Sequence, residues 1–103
     1  MQQRRRRHTA PQTAEDRFGQ ALREFRTARG LTQEELAFES GYHPVYIGLL
    51  ERGKKSPSLR AIMSLATTLK TRGSELLRRV EALERAAARS QRKNPNLRSA
   101  GFK

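Results

Sequence analysis

The sequence predicts an all-α fold of five helices, on three observations. Apolar residues recur at three- and four-residue spacing in several separate stretches, the period of an amphipathic helix. Capping residues or a helix-starting proline open these stretches, and glycine closes several of them. Nothing reads as a strand, and no internal repeat is visible.

Thr13 is placed to cap the first helix, about residues 14–29, with Glu15 and Asp16 in the turn where the helix dipole favours anions. Phe18, Ala21, Leu22 and Phe25 form its apolar stripe, Arg26 and Arg29 lie in its last turn, and Gly30 ends it. Thr32 and Glu35 have the spacing of a capping box, with Leu31 and Leu36 spaced as its hydrophobic staple. The second helix runs through Glu39, and Gly41 supplies the positive φ of the turn. Pro44 starts the third helix, where its missing N–H costs nothing. Ile47 and Leu50 face inward with Tyr46 beside them, and Gly53 stops the helix.

Lys54 to Pro57 form a basic loop, and Ser58 caps a fourth helix with the stripe Ile62, Leu65, Ala66 and Leu69. Gly73 and Ser74 interrupt before a fifth helix, about residues 74–90, that Asn94–Pro95–Asn96 stops. In that helix Leu76, Val80, Leu83 and Ala87 are spaced as a short heptad seam, part of which is expected to meet a second subunit; the alternative is that the whole stripe packs on helices 1 and 4, and Leu77 is expected to pack back on the domain. A helix of about 17 residues spans roughly 25 Å, longer than a small five-helix domain needs.

Of 103 residues, 22 are basic and 10 acidic, a net charge of +12 that calls for a polyanionic partner, nucleic acid or an anionic membrane. Residues 1–13 carry +4, through Arg4, Arg5, Arg6 and Arg7, and residues 88–103 carry +5, leaving +3 for the middle. This divides the chain into a flexible basic arm (1–12), a folded domain (13–90) and a disordered basic tail (91–103). At this length no separate sensing or catalytic domain is expected beside that one.

There is no cysteine, which suits a cytoplasmic protein. No apolar run approaches the roughly 20 residues needed to cross a bilayer, and no apolar segment follows the first arginines as in a secretory signal. Enzymatic chemistry finds no support. The two histidines, His8 and His43, have no metal-ligand spacing to a carboxylate, Ser56, Ser58 and Ser64 lack an identifiable base, and there is no glycine-rich phosphate loop. A non-enzymatic protein with no metal and no cofactor is expected.

The most informative stretch is residues 31–57, LTQEELAFESGYHPVYIGLLERGKKSP. Two short helices, a glycine turn and a basic loop make the layout of a helix-turn-helix (33–52) that presents its second helix to DNA. With Arg26 before it and SPSL and LATTL after it, the segment resembles the Cro and phage-repressor family over about residues 18–78. The resemblance implies a lambda-repressor-like DNA-binding domain with an extended C-terminal helix. It also implies a double-stranded DNA partner and a sequence-specific transcriptional regulator. We read that regulator as a small dimeric repressor.

Residue by residue, Gln33 matches a phosphate-binding position, and Arg26 and Glu51 match a pair that ties helix 1 to the end of helix 3. His43, Pro44, Val45, Gly48 and Leu49 match the base-facing side of the recognition helix. That side is unusually poor in hydrogen-bonding groups: only His43 bonds strongly, while Pro44, Val45 and Leu49 suit thymine methyls. Two readings follow, base contact aided by DNA shape, or a protein-binding face. Arg52, Lys54 and Lys55 match phosphate-holding cations and favour the first, and Arg4–Arg7 are expected over phosphates or in a minor groove.

HPVYIGLLERGKKSPSL is also similar to the controller proteins of restriction–modification operons. Two other functions are compatible with the sequence. One is an antitoxin that binds both DNA and a toxin. The other is a sequence-tolerant nucleoid or RNA-associated protein driven by its tails, which a complete helix-turn-helix argues against.

Overall fold

The structure, a computed structural model, describes residues 13–93. The expectations for the arm, Arg4–Arg7 included, and for the stop at Asn94–Pro95–Asn96 with the tail beyond it lie outside the described residues. Within them the fold is the expected all-α architecture: α1 Ala14–Ala28, α2 Gln33–Ser40, α3 Pro44–Glu51, α4 Leu59–Thr68 and α5 Gly73–Lys93. The fifth helix starts one residue earlier than expected and continues to Lys93.

Local chemistry sets the starts of the first four helices. Thr13 and Asp16 form a capping box, as do Thr32 and Glu35: Glu35 N–H donates to Thr32 Oγ1 at 3.0 Å, and Thr32 N–H donates to Glu35 Oε1 at 2.9 Å. Such a cap contributes about 1 kcal/mol. Ser58 Oγ accepts from Ala61 N–H to start α4. The turn between α2 and α3 rests on Gly41, whose φ of 85° a side chain would resist. Gly41 N–H and Tyr42 N–H both donate to Ala37 O, closing α2.

The core gathers one side of every helix. Leu22, Leu36, Ile47, Leu50, Leu65 and Leu76 are its largest fully buried side chains, one or more from each. Each contributes about 1.5–3 kcal/mol through burial. Helices α1 and α3 cross in close contact because Gly19 has no side chain. A methyl there would collide with the carbonyl oxygens of Leu50 and Glu51.

The proposed subunit seam requires correction. Leu76 is fully buried and Val80 is 8% exposed, both inside the protomer core. Leu83 and Ala87 are half-buried, whereas Leu77, expected to pack inward, is exposed. The reason is geometric. A 4-3-4 spacing describes a seam between subunits and an amphipathic stripe against a core equally well, and here α1 and α4 take that stripe. Arg79 and Glu24 also bind α5 to α1, with Arg79 Nε donating to Glu24 Oε1 at 2.7 Å. Arg17 and Glu84 approach to 3.7 Å along the same contact.

Candidate nucleic-acid interface

The interface is built on the end of α3, and a buried network holds that end. Arg26 Nε donates to Glu51 Oε2 at 2.6 Å and Arg26 Nη2 to Glu51 Oε1 at 3.0 Å. The remaining Arg26 nitrogen, Nη1, donates to Leu31 O at 2.8 Å. Gln33 Nε2 then donates to Glu51 Oε1 at 2.9 Å. One carboxylate therefore joins the end of α1, the start of α2 and the end of α3. The bonds fix the angle between the two helices of the motif.

Burial makes the network consequential. The side chains of Arg26 and Glu51 are 11% and 4% exposed. The charge-assisted bonds from Glu51 outweigh burial and raise the Arg26 pKa above its ordinary value. They also settle which way the Gln33 amide points: a carboxylate only accepts, so Nε2 must face Glu51 and Oε1 must face away.

The residues expected to face bases divide. His43, Pro44 and Val45 are exposed at the start of α3, Val45 at 60%, and Leu49 is half-buried. Gly48 is a correction, because it is buried. The Arg52 guanidinium runs back along the helix and covers it: a Cβ at Gly48 would lie 3.0 Å from Arg52 Nη1 and 3.7 Å from Gln33 Oε1. Arg52, Lys54 and Lys55 are exposed, and Gln33 is half-buried beside Glu51.

Three features were not read from the sequence. His43 is the N-cap of α3: its Nδ1 accepts from Val45 N–H at 3.0 Å. When neutral, the ring must then carry its proton on Nε2, so it presents a donor to its surroundings. Its place directly before Pro44 was the available signal. Second, the Tyr42 and Tyr46 rings pack with centroids 5.0 Å apart, tilted by 39°, and the Tyr42 hydroxyl bonds Ser64 Oγ at 3.1 Å, which anchors the α2–α3 turn to α4. Burial, with Tyr42 adding to it, pushes the Tyr46 hydroxyl pKa up.

Third, Phe38 is 87% exposed on α2, at the edge of a shallow groove lined also by Glu34, Gly41, Tyr42, His43 and Pro44. A second exposed apolar group, Leu59, Met63 and Leu77, lies on α4 and α5. Leu59 and Met63 share a helix face, and Gly73, one turn before Leu77, lies against Met63. No helix among the described residues is long and apolar enough to cross a membrane, and these residues hold no cluster of metal-ligating side chains.

Known proteins are similar to this chain in sequence and in fold. A helix-turn-helix family model matches residues 22–76. An uncharacterised HTH-type transcriptional regulator of Archaeoglobus fulgidus is 44% identical over 55 residues, 53% of this chain and 79% of that one. Control protein C.SmaI of Serratia marcescens is 40% identical over 58 residues, 56% of this chain and 69% of that one. Among solved structures, the restriction–modification controller protein C.AhdI of Aeromonas hydrophila is similar, at 52% identity and a TM-score of 0.59. That match covers 60% of this chain and 94% of the other. The model spans both helices of the motif and the Arg26–Glu51–Gln33 network that joins them, so the chain belongs to the helix-turn-helix family of the Cro and phage-repressor type.

Proposed function

We propose that this protein is a sequence-specific double-stranded DNA-binding transcriptional regulator, a small dimeric repressor, and not an enzyme. The observation that carries the reading is the exposed start of α3 held beside exposed Arg52, Lys54 and Lys55 by a buried network. An exposed helix meets a major groove by shape, with Arg52 at its end, and Lys54 and Lys55 just beyond it meet the flanking phosphates. Gln33 adds a phosphate contact from the start of α2 through its backbone N–H and its second amide hydrogen. His43 offers an Nε2–H donor to a base edge, and Pro44, Val45 and Leu49 offer apolar contact to thymine methyls. Arg4–Arg7 add non-specific affinity along the backbone.

Membership of a family whose named relatives include transcriptional regulators and control proteins supports the same reading. The chain then works in the cytoplasm, where its operator is. A second copy completes the unit, joined through exposed Leu59, Met63 and Leu77 with Leu83 and Ala87 at its edge. A two-fold pair places two recognition helices about one DNA turn apart, ~34 Å.

Selection of duplexes from a random pool at about 150 mM salt tests this. A pseudo-palindromic consensus is the expected result. Enrichment of no sequence, with affinity that collapses at that salt, would leave only a tail-driven polyanion binder.

A further inference from the structure

The outer side of α3 has little with which to distinguish bases. Pro44, Val45 and Leu49 carry no hydrogen-bonding side chain, and His43 has one ring nitrogen committed to its cap. Yet a planar group with several donors lies along this helix. Arg52, the residue that ends α3, sends its guanidinium one turn back across Gly48, to 3.0 Å from the position of an added methyl. Gln33 Oε1, turned outward by the bond between its amide nitrogen and Glu51, is 3.7 Å from the same point.

We propose that Arg52 is a specificity-determining residue that reads a guanine in the major groove. The inference rests on the DNA-binding reading above and assigns Arg52 a role different from that of Lys54 and Lys55. Gly48 leaves a bare strip of helix across which the guanidinium reaches with Nη1 foremost. The Gln33 oxygen is a neutral acceptor beside the same strip, near enough to favour a guanidinium there without a hydrogen bond to it. The guanidinium then offers paired N–H donors, which match guanine O6 and N7. A lysine at this place would satisfy a phosphate but would lose the paired geometry.

The test measures the affinity of wild type and three variants for the duplex that wild type selects from the random pool, and for all its single-base substitutions. Arg52→Lys is expected to lower affinity for the selected duplex roughly tenfold to a hundredfold. It should also flatten the preference at one guanine in each half-site. Gly48→Ala should flatten the same position, because its methyl displaces the guanidinium, while helix propensity favours alanine and the fold holds. Lys55→Ala should lower affinity for all duplexes by a common factor. Circular dichroism melting of each variant separates a folding loss from a reading loss.

A consensus without a fixed guanine in each half-site overturns the proposal. So does an Arg52→Lys profile parallel to that of wild type, or a Gly48→Ala profile that keeps the full preference. Selection of no consensus by wild type overturns the regulator reading and this inference with it. A clear consensus indifferent to Arg52→Lys overturns this inference alone.

Discussion

Arg26 and Glu51, 25 residues apart in sequence, meet through two hydrogen bonds of 2.6 and 3.0 Å in a nearly buried ion pair. Removing one partner leaves the other buried and charged. Glu51→Ala should therefore destabilise the domain by about 3–5 kcal/mol, read from urea unfolding. It should also release Gln33, so DNA affinity should fall even at temperatures where the variant remains folded. A loss below ~1 kcal/mol would mean that the pair behaves as an exposed one.

Gly19 marks the closest approach of α1 and α3. Because an added methyl would meet the backbone oxygens of Leu50 and Glu51, neither of which can swing aside, Gly19→Ala should destabilise the domain. The expected cost is about 1–3 kcal/mol or more, against the gain that alanine brings to an open helix. Thermal melting of Gly19→Ala beside Gly48→Ala makes the comparison internal: the first should melt lower than wild type, the second should not.

Glu24 links stability to pH. Hydrogen bonding from Arg79 lowers the Glu24 pKa below its ordinary value, more than burial raises it. A carboxyl with a depressed folded pKa contributes stability that is fully present above the unfolded value, about 4.3. That contribution is lost as pH falls through the lower folded value. Glu24→Gln should therefore shallow the fall of melting temperature as pH drops below the ordinary glutamate range. An unchanged acid limb would show that Glu24 is indifferent to its partner.

The α4–α5 surface makes a prediction about assembly. Leu77→Glu places a charge among the exposed apolar residues of α4 and α5, which include Leu59 and Met63. Light scattering should give a dimer for wild type and a monomer for the variant, with folding retained because Leu77 is outside the core. A variant that still dimerises would place the subunit contact elsewhere.

His43 caps α3, and the proposed function gives it a base contact as well. His43→Ala should cost about 1 kcal/mol through loss of the cap and should change sequence preference. His43→Asn keeps a capping oxygen and should recover the stability without recovering the preference. Full recovery of both, measured by melting and by binding to substituted duplexes, would reduce His43 to a cap.

Most of the fold was legible because its signals are local. Thr32 with Glu35, Gly41 and Pro44 each act within a turn of where they stand, and so they define helix ends without knowledge of the rest. The α5 stripe was not, since which surface takes Leu76 and Val80 depends on α1 and α4, remote in sequence. The burial of Gly48 was hidden for a similar reason. It follows from the path of the Arg52 side chain, which periodicity does not encode. Phe38 was missed because an exposed aromatic has the same letter as a core one.

In the proposed function, duplex DNA meets the outer side of α3 and the cations at its end. Amide chemical-shift mapping with the selected duplex tests it most directly. The largest perturbations should fall on Gln33, on residues 43–49 and on Arg52, Lys54 and Lys55. Perturbations concentrated on α5, with residues 43–55 unchanged, would contradict it.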